Sequence, residues 1–259
     1  ASQAGEVPFE IFDRFLSGLI SYFDAQGENI IDRTPLELAL EGASDPGTPL
    51  LYPGKVLVDA DGERLFIADT NHHRIVVADL NTYEVQMVIG TGKRGYVNGD
   101  FGVVRFDQPQ GMALSGDTLY VADVNNHALR AIDLANETVS TIAGTGEKGD
   151  FLPPYGIVPF EPLEFALRSP WALEFNDDDS VLYIAMAGSH QLWSYTIDLN
   201  RLEVVVGNGR EAQLSTTLGG SELAQPSGLH WHDGLLYFAD SESSTVRVAD
   251  FDDNRVQVV

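Results

Sequence analysis

The sequence predicts an all-β protein built from four copies of one four-stranded unit, which follow a short helical segment. A proline followed by an apolar strand opens each copy, at Pro53, Pro109, Pro170 and Pro226. A second strand follows with a shared Leu-aromatic-apolar-Ala pattern, as in the stretch from Leu65 to Ala68. Gly, Asn or Asp bounds the strands, and no 3.6-residue apolar period occurs within the unit, which excludes a helical repeat.

Four short antiparallel strands per unit are typical of a β-propeller blade. We predict a propeller over residues 50–259, with blades at about 53–92, 109–146, 170–209 and 226–259. Residues 1–49 form a separate N-terminal segment. The stretch 8–24 is predicted to be its helix because its apolar side chains follow one helical face. The connectors between blades, residues 94–106, 148–167 and 210–224, are predicted to be long loops, where binding often occurs on a rigid scaffold.

The stretches from Ala68 to Ile75 and from Ala122 to Arg130 resemble the NHL repeat, which is named for its Asn-His-Leu pattern. The connectors resemble more closely the group formed by NHL repeat-containing protein 2 and its bacterial relatives. That resemblance covers about residues 9–259 and implies a six-bladed ring behind a thioredoxin-like domain, in proteins generally regarded as interaction modules. Here only four blades are recognisable, there are 0 cysteines, and residues 1–49 resemble a remnant of the preceding domain.

Net charge excludes some partners. The chain has 15 Lys and Arg residues against 39 Asp and Glu residues, for a net charge of −24. Nucleic-acid binding requires a basic surface, so we expect no nucleic-acid partner and favour cations or basic peptides. Neither a bilayer-spanning apolar run nor a signal peptide is found, so we expect no membrane partner and favour the cytoplasm.

The innermost strand of each blade has one apolar face and one polar face, because strand side chains alternate. The polar face predicts a ligand or metal site at the propeller axis, with the candidates Asp59, Glu174, Asn176, His230 and His232. Carboxylate oxygens favour calcium, and the histidines allow zinc. The alternative is that these side chains bond to strand ends and channel water, since no fixed ligand spacing supports a metal.

A second repeated set lies between the second and third strands, and consists of Asp69, His73, Asp123, His127, His190 and Asp240. The three histidines begin the third strand, two strands from the axis. At a strand spacing of ~4.8 Å they are too far apart to share one metal ion. We therefore predict that they form hydrogen bonds within the turn, beside the aspartates.

Two functional hypotheses remain open. The favoured one is a binding scaffold whose inter-blade loops and axial mouth hold a protein, a peptide (preferably basic) or a small molecule. The alternative is a calcium- or zinc-dependent hydrolase or lyase that acts on esters or lactones at the axis, and it rests on fold-level analogy.

An open arc of four blades would expose the apolar faces of its first and last blades. A closed four-blade ring, pairing of two chains, or cover from residues 8–24 and 33–41 would each relieve this exposure. Blade 4 has no comparable cover in its own chain. We predict a homodimer in which the exposed side of blade 4 is buried against a second copy.

Overall fold

The computed structural model describes residues 9–26, 47–157 and 160–259, which fall into two compact units, Ala1–Gly47 and Thr48–Val259. The first unit contains helix α1 (Phe9–Ala25), one residue later at its end than predicted. Its apolar residues Phe12, Leu16 and Leu19 are exposed. The segment 33–41, considered above as a cover for blade 1, lies outside the described residues.

The second unit is a propeller of four antiparallel blades, as predicted. Blade 1 contains β1 (Lys55–Asp59), β2 (Arg64–Asp69), β3 (Arg74–Asp79) and β4 (Val85–Ile89). After β5 (Gly99–Asp100), blade 2 contains β6 (Pro109–Ser115), β7 (Thr118–Asp123), β8 (Ala128–Asp133) and β9 (Thr138–Ala143). Blade 3 contains β10 (Pro170–Phe175), β11 (Val181–Met186), β12 (Gln191–Thr196) and β13 (Arg201–Val206). Blade 4 contains β14 (Pro226–His232), β15 (Leu235–Asp240), β16 (Thr245–Asp250) and β17 (Arg255–Val258).

The connector between blades 1 and 2 was predicted to be a loop throughout, but it contains a strand. Strand β5 pairs with β9 in the register Gly99↔Val139, so the sheet of blade 2 has five strands. The reason is that Phe101, Val104 and Phe106 of this connector are buried in the core between blades 1 and 2. Their burial draws the backbone of the connector alongside the outer strand of blade 2.

Each blade has two faces, because successive strand residues point to opposite sides. We call the face with the aromatic-x-Ala pair the trailing face, as with Phe66 and Ala68 in blade 1, and the opposite face the leading face. The trailing face of blade 1 packs on the leading face of blade 2, where Leu119 and Val121 lie. Blades 2 and 3, and blades 3 and 4, pack by the same rule. The cores therefore lie between blades, and the innermost strands β1, β6, β10 and β14 surround the axis.

Candidate functional site

Two of the five predicted axial residues come together. The carboxylate Oε1 of Glu174 lies 3.1 Å from Nδ1 of His230 and accepts the backbone N–H of Trp231 at 3.1 Å. The His230 side chain is largely exposed, so a ligand could reach the pair from solvent. The pair joins the innermost strands of blades 3 and 4.

The other three axial candidates form their polar contacts elsewhere, although the His232 ring lies parallel to the His230 ring at a centroid distance of 6.2 Å. Asp59 forms an ion pair with Arg64 at 2.7 Å across its own hairpin. Asn176 bonds within the turn that follows it, and His232 lies 3.3 Å from the carboxylate of Asp233. Among the described residues, no three or more metal-ligating side chains form a group that could hold an ion. The described residues thus provide no ligand set that supports the metal hypothesis.

A cation that the sequence patterns did not indicate lies at the axis. Lys55 Nζ donates a hydrogen bond to the carbonyl oxygen of Ser227 at 3.1 Å and so connects blades 1 and 4, and burial lowers its pKa. It lines an axial cavity of about 180 Å³ together with Gly111, Ala172 and Gly228. All four residues stand two places after the proline of their blade, so comparing the repeats at that position would have revealed the lysine.

The repeated aspartates are buried in ion pairs. Asp123 accepts the backbone N–H of Asp107 at 2.7 Å and pairs with Arg130 at 2.8 Å, with both charged side chains inaccessible to solvent. The arrangement recurs in the pair Asp240–Arg247 of blade 4, where both side chains are again inaccessible. In blade 1, Asp69 pairs instead with Arg74 at the start of the third strand, and that arginine is partly exposed. A buried charge pair of this kind is tolerated only where hydrogen bonds complete it.

The buried arginines hold the connectors. Arg130 donates to the carbonyl oxygens of Val97 and Arg105 at 2.9 and 3.1 Å, which fixes the connector ahead of blade 2. Arg247 fixes the connector ahead of blade 4 in the same way. Burial raises the pKa of Asp123 to about 6, against the opposing influence of the Arg130 charge.

Blade 3 holds its connector with neutral groups. Met186 stands where blade 2 has Asp123, and Trp193 stands where blade 2 has Arg130. Gln191 takes the place of Ala128, at the other end of the turn from Met186. The Gln191 amide donates to the carbonyl oxygen of Pro153 at 2.8 Å, and its oxygen accepts from Trp193 Nε1 at 3.3 Å.

The three repeated histidines connect successive blades. The backbone N–H of each histidine donates the hydrogen bond that closes its own turn. The side chain bonds to a different partner. Nδ1 accepts the backbone N–H of the residue just before the next blade's proline. The donors are Gln108 to His73 at 3.1 Å, Ser169 to His127 at 3.0 Å and Gln225 to His190 at 3.3 Å. This corrects the expectation that the side chains bond within the turn, and it requires a neutral ring with an unprotonated Nδ1. Burial lowers the pKa of His73 and His127, which favours that form.

The connector between blades 2 and 3 exposes large apolar side chains. Four of them lie within one short stretch, and we call these the apolar rim: Phe151, Leu152, Tyr155 and Ile157. Phe151 alone leaves 56% of its surface accessible. Pro153, in the middle of the stretch, is buried and bonded to Gln191. The backbone of the rim is therefore anchored at Pro153, while its apolar side chains face solvent.

Tyr155 joins the rim to the next connector along the chain. Its ring lies against Gly219, where an added Cβ would come 2.3 Å from the ring carbon Cδ1, so that only glycine fits. Beside it, a cavity of about 190 Å³ is lined by Tyr155, Val204 and Phe251 among others. The rim thus continues into a shallow depression over blades 3 and 4.

Comparison with known proteins agrees with the repeat. The NHL repeat model matches residues 106–132, which span the first three strands of blade 2. Protein SUPPRESSOR OF QUENCHING 1, chloroplastic, of Arabidopsis thaliana is 40% identical over 258 residues, covering 96% of this chain and 24% of that protein. NHL repeat-containing protein 2 of Gallus gallus is 36% identical over 280 residues, covering 99% of this chain and 37% of that protein. The human protein of the same name is 36% identical over 267 residues.

The chain is an NHL-repeat β-propeller. It spans between about a quarter and somewhat more than a third of the length of these curated relatives. Activities and partners of the whole relatives therefore do not transfer directly to this NHL propeller.

Solved structures share the fold of this NHL propeller at low identity. A chain of the nidogen/laminin complex matches with a TM-score of 0.55 and 18% identity, over 81% of this chain and 63% of that one. Hydrazine synthase of Kuenenia stuttgartiensis matches with a TM-score of 0.55 and 15% identity, over 84% of this chain and 52% of that one. Such likeness supports the fold alone. None of the helices in the described residues has the length and apolarity that a bilayer crossing requires.

Proposed function

We propose that this NHL propeller is a protein-binding scaffold whose contact surface is the apolar rim. The supporting observation is the exposure of Phe151, Leu152, Tyr155 and Ile157 along one connector. Exposed apolar groups clustered in this way mark interaction sites more often than scattered ones do. Aromatic residues at the centre of an interface commonly contribute most of its binding energy.

The rim is held in place before any partner arrives. The Gln191 amide fixes the carbonyl of Pro153, and Gly219 provides the seat for the ring of Tyr155. A contact surface that is already ordered loses less conformational entropy on binding. Preorganisation therefore favours recognition of a short segment by the rim.

Charge around the rim determines the chemistry of the partner. The exposed acidic residues Glu147, Asp150, Glu161 and Glu164 flank it, within a chain of net charge −24. Complementary charge speeds association and selects among partners. The partner segment is accordingly a peptide with Lys or Arg beside aliphatic or aromatic side chains.

Selection from a random peptide display library tests this proposal. We expect immobilised propeller to enrich basic, apolar peptides, and the double variant Phe151→Ser/Ile157→Ser to bind them at least about tenfold more weakly, because hot-spot groups are lost. Affinity should also fall as salt rises.

A matched control uses exposed apolar residues outside the rim. Val103→Ser/Leu199→Ser removes two such side chains, one from the connector ahead of blade 2 and one from a hairpin of blade 3. It should bind like the unmodified chain. Equal weakening by both double variants, or enrichment of acidic peptides, would overturn the proposal.

A further inference from the structure

The three repeated histidines form three equivalent junctions between blades. We call the place where each histidine meets the following connector a junction, and we number the junctions along the chain. Two connector positions accompany each histidine: the second residue after the Gly-x-Gly element and the second residue before the next blade's proline. A backbone hydrogen bond between neighbours of these positions sets them in the same relation each time. The bonds run from Gly95 to Phe106, from Gly149 to Leu167 and from Ala212 to Leu223.

In junctions 1 and 3 the chain itself places a carboxylate beside the histidine. In junction 1, Asp107 Oδ1 lies 3.6 Å from His73 Nδ1, and its Oδ2 accepts from Arg94 Nε at 2.6 Å. In junction 3, Glu211 Oε2 lies 4.0 Å from His190 Nε2. One of the two connector positions is therefore acidic in each of these junctions.

Junction 2, between blades 2 and 3, has a cation at both positions. Lys148 and Arg168 stand there, where junction 1 has an arginine and an aspartate. Both positive charges lower the pKa of His127, which places them close to its ring. The carboxylates of Glu147 and Asp107 raise that pKa, but their influence is smaller. Junction 2 is thus locally positive in a chain of net charge −24.

Arg168 is half-buried without a partner. Within residues 9–26, 47–157 and 160–259 its guanidinium forms neither a hydrogen bond nor an ion pair, and its Nε is buried. Arg130 also has an unpaired buried Nε, but its other nitrogens bond to Asp123 and to backbone carbonyls. A buried donor without a partner costs free energy, so Arg168 indicates a ligand that would complete it.

We infer that junction 2 binds a carboxylate group of a ligand through Arg168 and Lys148, with His127 as a third donor. His127 Nδ1 accepts the backbone N–H of Ser169 at 3.0 Å, so the neutral ring has its proton on Nε2, where it can be donated. A planar guanidinium matches the two oxygens of a carboxylate. Carboxylate is favoured over phosphate because the chain places a carboxylate in both other junctions. The inference does not rest on the proposed function of the rim.

Titration with succinate tests the site, followed by calorimetry and by NMR of the His127 ring. We expect saturable binding, which Arg168→Gln should weaken at least about tenfold because charge-assisted hydrogen bonds are lost. Lys148→Gln, at an exposed position, should weaken binding without risk to the fold. Arg168→Asp should abolish binding, since its carboxylate would take the place of the ligand as Asp107 does in junction 1.

The matched control is Lys93→Gln. It removes an exposed cation from the connector ahead of blade 2 and should bind succinate like the unmodified chain. Phe151→Ser/Ile157→Ser should also bind succinate normally, so failure of the rim proposal would be seen separately. Thermal melting confirms that each variant is folded.

Two further probes distinguish the sources of the carboxylate, which are a small free acid and the C-terminus of a peptide. They are N-acetyl-triglycine and its C-terminal amide. Tighter binding of the free peptide acid than of succinate, with none of the amide, would assign the site to a peptide terminus. Tighter binding of succinate would assign it to a small acid, and either result supports the inference.

Three outcomes would overturn the inference. The first is no saturable binding of either carboxylate probe to the unmodified chain. The second is tighter binding of inorganic phosphate than of succinate at the same ionic strength. The third is equal weakening by Lys93→Gln and Arg168→Gln, which would show attraction by general charge rather than by a site.

Discussion

Blades 2 and 3 have the same backbone turn but stabilise it with different chemistry. In blade 2 the buried ion pair Asp123–Arg130 fills the space, while in blade 3 the neutral residues Met186 and Trp193 stand at the same two positions and Gln191 provides the polar contact to the connector. Arg130 fixes its connector through two carbonyl oxygens. The Gln191 amide reaches only one carbonyl in its connector, that of Pro153.

The difference in chemistry accompanies a difference in the connectors. The connector ahead of blade 2 adds β5 to the sheet and buries Phe101 and Phe106. The connector ahead of blade 3 is longer and presents the apolar rim to solvent. A charged anchor thus accompanies a connector whose apolar side chains are buried in the core, and a neutral anchor accompanies one that exposes them.

The largest effect is expected for Arg130→Met. The change leaves the carboxylate of Asp123 buried without its partner, which costs about 3–5 kcal/mol of unfolding free energy. Chemical denaturation measures the loss. The matched control is Asp123→Met/Arg130→Met, which removes both charges together, as blade 3 does with Met186 and Trp193, and should recover most of the stability. A loss of less than about 1 kcal/mol of unfolding free energy in Arg130→Met would show that the ion pair is not essential to blade 2.

A smaller effect is expected for Gln191→Leu. The carbonyl of Pro153 and the indole N–H of Trp193 would lose their partners in a buried place, at a cost of about 1–3 kcal/mol. Hydrogen exchange should rise in residues 150–157, because the rim has lost its anchor. Gln213→Ala, at an exposed position of the connector ahead of blade 4, should change neither quantity. Unchanged exchange in the rim would contradict the anchoring role.

The smallest effect concerns pH and the inter-blade histidines. The pKa of His127 is lowered mainly by burial and further by Lys148 and Arg168, so the folded state favours the neutral ring. Its contribution to stability is present above the ordinary pKa of 6.5 and is lost as pH falls through the lowered folded value.

His127→Asn keeps a hydrogen-bond acceptor, tolerates the left-handed backbone and does not titrate in this range. Denaturation at about pH 7 and about pH 5 should therefore show a smaller loss of stability for this variant than for the unmodified chain. An equal loss of stability in the two proteins would show that His127 does not cause the pH dependence.

The sequence was sufficient for the parts of the fold that depend on local patterns. Four blades follow from the repeated proline and aromatic-x-Ala strand, and α1 follows from its one-sided apolar residues. The partners of His73 and the role of Lys55 were missed, since both depend on where neighbouring blades stand. The rim was predicted only as a loop. The sequence shows that its residues are apolar but not that they are exposed, because their exposure depends on the burial of Pro153 between them.

The central claim is that the apolar rim is the binding surface, and a hydrogen-exchange footprint tests it most directly. The probe is a basic, apolar peptide selected on the immobilised propeller, compared with the free protein at the same pH and salt. Slowed exchange in residues 150–157, with no change in residues 94–106, is the predicted result. Protection confined to residues 94–106 or to the innermost strands around Glu174 and His230, with none in the rim, would contradict the account.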